Sequence, residues 1–165
     1  MRLVVATALI AFALPAGAQD FTYDPTILTD CLQAEEAQPN ICVSRAAMSC
    51  TEGEGGSSTV GIVSCFEAEQ EQWAAIMADS YDILMADAQR TDQDMKDLGS
   101  AAEPQAPLLD AMQAKWAAYR DEACAWDASR WSGGSGAGPA AAACDTELTG
   151  QQALRLKVYA DQVMQ

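Results

Sequence analysis

Histidine is absent from all 165 residues, and that one absence removes much of ordinary protein chemistry. No Ser-His-Asp or Cys-His arrangement can be assembled, and the mixed Cys/His sets that usually hold structural zinc are excluded. Cysteines spaced C-x-x-C are missing too, so a metal would need widely separated thiols; neither metal nor cofactor is expected. There is no G-x-S-x-G elbow, and the Gly134 to Gly138 stretch follows no strand, so it cannot cradle a phosphate as a nucleotide loop does. Paired carboxylates such as Glu67 and Glu71 have the residue types of a glycosidase pair. On the polar face of an acidic helix they read more simply as solvation, so no catalytic residue is assigned and the chain is read as a non-enzyme. Basic residues are scarce, 9 against 24 acidic ones, for a net charge of −15. A surface of that sign repels phosphate backbones and anionic lipid, which excludes nucleic acid and the membrane surface as partners. It also steers a basic protein toward the chain at modest salt.

What is present begins with residues 1–18. Arg2, an apolar run from Leu3 to Leu14 and the small-residue end Ala16-Gly17-Ala18 form a secretory signal peptide. The run is too short for a mature membrane anchor, and no cysteine follows the cleavage site to take a lipid. The product is expected to be periplasmic or secreted, with residues 19–165 as a single domain, and losing Arg2 makes it one unit more negative. All six cysteines, Cys31, Cys42, Cys50, Cys65, Cys124 and Cys144, lie in that exported part, an even set that reads as three disulfides. Local closure is the expectation: Cys31 to Cys42 across a proline turn, Cys50 to Cys65 and Cys124 to Cys144 across glycine-rich stretches. Each would contribute roughly 3 kcal/mol by shrinking the unfolded ensemble.

Helical periodicity dominates the rest. Phe66, Trp73, Met77, Leu84 and Ala88 recur at three- and four-residue steps, with Glu67, Glu71, Asp79, Asp82 and Asp87 mostly between them, which predicts a long amphipathic helix from Cys65 to about Leu98. Residues 100–107 form a connector. A second helix from Pro107 sets Leu108, Met112, Trp116, Tyr119, Ala123 and Trp126 on one stripe, predicted to face the core. Four glycines in residues 132–138 preclude regular structure there. A last helix runs from about Ala140 to Val163 with Cys144, Leu148, Leu156, Tyr159 and Val163 inward, and Thr149-x-x-Gln152 has the form of a capping box that would restart it after Gly150. Upstream, Pro25 to Ala37 and Ile41 to Thr51 read as shorter helices. The expected fold is all-α, a small disulfide-stapled helical bundle with two Gly-rich, mobile loops, 52–59 and 132–139.

Two constellations share helix faces. Cys65, Glu69 and Trp73 stand at i, i+4 and i+8, and Trp116, Tyr119, Arg120 and Cys124 cluster on the neighbouring helix. The structural expectation is an Arg120 to Glu69 ion pair that fixes the register of the two helices. The pattern C-x3-E-x3-W, then W-x2-Y-R-D-x2-C and a Gly-Gly-Ser loop, then Cys144-x3-Leu148-Thr149, resembles the LprI-type lysozyme-inhibitor family over about Cys31 to Leu156. The resemblance implies a small exported helical domain that inhibits lysozyme and has no enzymatic activity. Ala114-Lys115 and Asp79-Ser80 depart from the family pattern.

A stapled bundle has conformational freedom mainly in its loops, and loops on rigid scaffolds carry function disproportionately. Ser57, Ser58 and Thr59 close the first glycine-rich stretch; Arg130, Trp131 and Ser132 open the second. They offer small hydrogen-bonding groups and an aromatic ring to a partner such as a lysozyme or another basic protein, or else the loops are spacers. The alternative function is an envelope interaction module that binds peptidoglycan fragments or another protein through Trp131 without inhibiting lysozyme.

Overall fold

The computed structural model describes residues 21–165; the expected signal peptide lies outside the described residues. The elements are α1 (Thr26–Ala34), a 3-10 turn (Pro39–Cys42), α2 (Arg45–Thr51), α3 (Thr59–Asp97), α4 (Gln105–Ser129) and α5 (Ala137–Val163). Among the described residues there is no strand, and three disulfides join Cys31 to Cys42, Cys50 to Cys65 and Cys124 to Cys144. The all-α, disulfide-stapled architecture and the local pairing expected from the sequence are those of the structure.

α3 is the spine, 39 residues and therefore about 58 Å long. It starts six residues before Cys65 because Ser58 caps it, the Ser58 Oγ accepting the Gly61 N–H at 2.9 Å. It ends where Gly99 takes φ +68°: the Gly99 N–H donates to the Lys96 carbonyl and the Ser100 N–H to the Met95 carbonyl, the paired bonds of a Schellman stop. α3 also caps two other helices. Glu69 accepts the backbone N–H groups of Ser44 and Ala47 at the start of α2, at 2.6 and 2.7 Å. Asp92 accepts those of Gln105 and Ala106 at the start of α4, at 2.6 and 2.9 Å. Each carboxylate meets orphan donors at the positive end of a helix dipole, so a single long helix fixes where its neighbours begin.

Cross-links set the directions. The Thr146 hydroxyl donates to the Phe66 carbonyl, and Gly150 lies against Trp73, so α5 runs parallel to α3. Tyr81 reaches Asp110 and Gln113 reaches Met77, so α4 runs antiparallel to both. The core gathers Leu28, Cys31, Cys42, Ala46, Trp73, Ala153 and Leu154, with Tyr23, Val43 and Met77 packed against it. A smaller cluster, Ala47, Phe66 and Ala142, fills the end near the start of α3.

Several expectations are corrected. Arg120 does not meet Glu69. Glu69 is fully buried and its oxygens are taken by Ser44, Ala47 and the Trp73 indole N–H at 2.8 Å. Arg120 pairs with Asp121 at 2.8 Å and with Asp145 of α5 at 3.2 Å, and its guanidinium lies 5.2 Å from the Trp116 ring centre. Glu69 is enclosed with its three donors at the start of α2, while the Arg120 guanidinium is engaged by Asp121 and Asp145. The α4 stripe is not all core either: Trp116 is half-buried, but Tyr119 is 61% exposed and Trp126 67% exposed. α4 packs on α5 along one side and leaves these rings on its outer face. On α5, Tyr159 and Val163 are exposed, and the helix passes through Gly150 unbroken because the Thr149 hydroxyl donates to Asp145 instead of capping a new turn.

The 52–58 segment is close-packed rather than slack. A Cβ on Gly61 would stand 2.0 Å from the Gly55 carbonyl oxygen, and one on Gly56 would stand 2.1 Å from that of Cys50. Glycine is needed there because backbone meets backbone. α5 likewise begins at Ala137, so Gly138 and Pro139 belong to its first turn, where proline is tolerated.

Candidate functional site

Because α3 and α5 run parallel and α4 antiparallel, the α2–α3 and α4–α5 connections come to the same end of the bundle. The approach of Gly138 to Val63 marks the junction: a Cβ on Gly138 would lie 3.4 Å from a Val63 methyl. The residues singled out from two distant stretches of sequence thus share one pole, with the Cys50–Cys65 and Cys124–Cys144 disulfides bracing the two connections behind it.

The individual side chains differ in what they can offer. Ser57 is exposed. Ser58 is occupied, its hydroxyl donating to the Gly55 carbonyl while it caps α3. Thr59 is the exposed first residue of α3. Arg130 closes α4 and pairs with Asp127 at 3.4 Å, a solvent-side pair. Trp131 is 55% exposed, with one edge of its ring pressed so closely on Gly136 that a Cβ there would stand 2.1 Å from Trp131 Cε3. Ser132 takes φ +48° and Gly133 φ +81°, which reverses the chain tightly enough to hold the indole in that position. Trp131 is therefore a seated ring with its other face open, which lowers the ordering entropy a partner must offset on contact.

A groove of about 500 Å³ opens beside this pole, between α3, α4 and α5. Its lining combines small residues, Ala125, Ala128, Ala141, Ala142 and Cys124, with the acids Glu67, Asp121 and Asp145. Among the described residues no cluster of acids and cysteines has the geometry to hold a metal ion. The three carboxylates form instead an acidic edge, part of whose charge is answered by Arg120. Sequence reasoning missed this groove. Its residues come from three helices, and the one available signal was the run of small residues on α4 and α5.

Protonation behaviour is perturbed away from this pole. The Tyr23 phenol, which donates to Gln72 Oε1 at 2.7 Å, is pushed well above its ordinary value, chiefly by burial and then by the Glu69 and Asp24 charges. Asp24 is held below the usual carboxylate range by the Thr26 hydroxyl and N–H. Neither group lines the groove, so both are structural.

A family model described as "Lysozyme inhibitor LprI" matches residues 50–156, well over half of the chain and the whole stretch from the Cys50–Cys65 disulfide through the acidic groove. No curated protein and no solved structure matches the chain.

Proposed function

The chain belongs to the LprI lysozyme-inhibitor family, and we propose that it is an exported, non-catalytic inhibitor that captures a basic lysozyme on the pole where its two glycine-rich connections meet. The observation that carries this reading is the joint position of Ser57, Arg130 and the seated Trp131 at one end of the bundle, beside a groove edged by Glu67, Asp121 and Asp145. A strongly acidic chain accelerates encounter with a cationic enzyme, and a rigid pole carrying a half-exposed tryptophan is shaped to obstruct a saccharide cleft. Export is supported by the leader at residues 1–18 and by three disulfides, which persist in oxidising compartments. No described helix is long and apolar enough to cross a membrane.

The test is a turbidity assay of cell-wall lysis by a basic lysozyme with stoichiometric purified protein, at low salt and again at about 0.5 M salt, where the screening length falls below about 5 Å. Lysis should slow at low salt and recover at high salt. Substitutions Ser57→Ala, Arg130→Ala and Trp131→Ala should weaken inhibition while helical content stays constant. Ser58→Ala should also lower stability by about 1 kcal/mol, since that hydroxyl caps α3. Unchanged lysis across several lysozyme classes would overturn the reading, and binding of soluble peptidoglycan fragments would then favour an envelope module.

A further inference from the structure

α4 is tied to the bundle differently from its neighbours. α3 brings Phe66, Trp73 and Ala88 to the buried interior and α5 brings Ala142, Ala153, Leu154 and Leu156, but the one buried residue of α4 is Cys124. Neither apolar cluster includes a side chain from α4. Toward its start the helix is held by polar bonds: Asp92 caps it, the Tyr81 hydroxyl donates to Asp110, and Gln152 donates to Gln113 at 2.9 Å. From Trp116 onward, among the described residues, its ties beyond half-buried packing are the Arg120 to Asp145 pair at 3.2 Å and the Cys124–Cys144 bridge. A partly exposed ion pair and a few half-buried side chains hold a helix weakly, so most of that grip is covalent.

The same bridge is the accessible one. Cys42 and Cys65 are fully buried, so each of the other two disulfides has one sealed partner. Cys144 is half-buried, and Cys124 lines the groove between α3, α4 and α5. Thiol–disulfide exchange needs a thiolate to reach sulfur, which places this bridge first in line. It joins residues 20 apart in sequence, and the loop it closes contains Trp126, Arg130, Trp131 and the turn at Ser132 and Gly133. Opening it returns conformational freedom to that whole loop.

We infer that the Cys124–Cys144 bridge is a redox latch: a dithiol reductant opens it before the other two, and the second half of α4, with the pole it carries, comes away while the core between α3 and α5 stays folded. In the opening step a thiolate of the dithiol attacks Cys144 Sγ, the S–S bond breaks, and Cys124 leaves as a thiolate that takes a proton. The second thiol of the reductant then attacks the mixed disulfide, which releases Cys144 as a thiol and closes the reductant's own disulfide. Two electrons and two protons have passed to the protein. The core survives because the cluster around Trp73 is assembled without α4, and because the Cys31–Cys42 and Cys50–Cys65 bridges lie outside the released segment. The latch follows from packing and access; that its opening ends capture of a basic lysozyme rests on the inhibitor reading.

The experiment exposes the oxidised exported chain to limiting dithiothreitol, blocks free thiols with iodoacetamide at intervals and locates the blocked cysteines by mass spectrometry. Cys124 and Cys144 should be blocked about tenfold faster than the other four. Hydrogen exchange on that singly opened chain should show protection lost over residues 116–136, with α3 up to Ala88 and α5 from Thr146 protected as in the oxidised chain. Cys124→Ser/Cys144→Ser should give the same pattern without reductant. Earlier blocking at another bridge, all three bridges opening together, unchanged protection of α4, or unfolding of α3 and α5 in either opened form overturns the latch. In the turbidity assay the opened chain should inhibit lysis about tenfold less well than the oxidised one. Equal inhibition by both forms overturns control of the pole by the bridge and leaves the inhibitor reading standing. An oxidised chain that leaves lysis unchanged overturns the inhibitor reading, and the exchange data then decide the latch by themselves.

Discussion

Replacing Glu69 tests the internal logic of the bundle most directly. The carboxylate is fully buried and accepts three N–H groups, from Ser44 at 2.6 Å, Ala47 at 2.7 Å and the Trp73 indole at 2.8 Å. Ser44 and Trp73 share one oxygen and Ala47 takes the other. Glu69→Gln keeps the volume, and its single carbonyl oxygen can serve the first two donors as a neutral acceptor. Its amide N–H then faces the Ala47 N–H, leaving buried donors opposed. One charge-assisted bond and its desolvation cost come to about 2–3 kcal/mol. At about 3 °C per kcal/mol for a chain of this size, the melting temperature should fall by about 6–9 °C. Glu69→Ala strands all three donors and opens a cavity beside Trp73, so about 4–6 kcal/mol is expected, with loss of α2 first. Arg120→Ala supplies the contrast. Arg120 is 22% exposed, its partners Asp121 and Asp145 are more so, and a surface pair plus one ring contact sums to about 1 kcal/mol. Circular-dichroism melts at 222 nm on the oxidised protein read all three. Equal shifts for Glu69→Gln and Arg120→Ala, or a Glu69→Gln melt within 2 °C of wild type, would refute the assignment of Glu69 as the cap of α2.

Two further outcomes follow from the same structure. Gly61→Ala and Gly99→Ala separate two uses of glycine by chemical denaturation: at Gly61 the added Cβ meets the Gly55 carbonyl at 2.0 Å and should cost well over 2 kcal/mol, whereas at Gly99 it meets open space and costs only the left-handed strain, about 1 kcal/mol. For Tyr23, the folded protein holds the phenol's ionisation well above its ordinary value of 10.0, mainly by burial. Its contribution to stability is therefore fully present below pH 10 and is lost as pH rises beyond it, so melting temperatures should decline more steeply above pH 10 in wild type than in Tyr23→Phe.

The sequence alone was enough to determine the class of this protein. Phe66, Trp73 and Ala88 at helical spacing, with no alternating stretch to compete, leave a helix as the one way to bury that stripe, and α3 carries them buried as read. Six cysteines with short intervals make local closure the least costly pairing in chain entropy, and the structure contains those three bridges. The W-x2-Y-R-D-x2-C segment carried the family likeness, because a motif is a matter of residue order. Tertiary structure decided what periodicity cannot express. A helix stripe says which residues lie together, and not whether a neighbour arrives to cover them: Tyr119 and Trp126 obey the same spacing as Trp116 and Trp73, yet Trp73 is fully buried and Trp116 half-buried while those two stand exposed. Glu69 reads from the sequence as a partner for Arg120, yet it and Asp92 become helix caps because α2 and α4 present bare N–H groups to them, and a helix start can be satisfied from any distance along the chain. The meeting of residues 57–59 with 130–132 at one pole likewise follows from α3 and α5 running parallel, a direction fixed by packing of Thr146 on Phe66 and Gly150 on Trp73 rather than by any local preference.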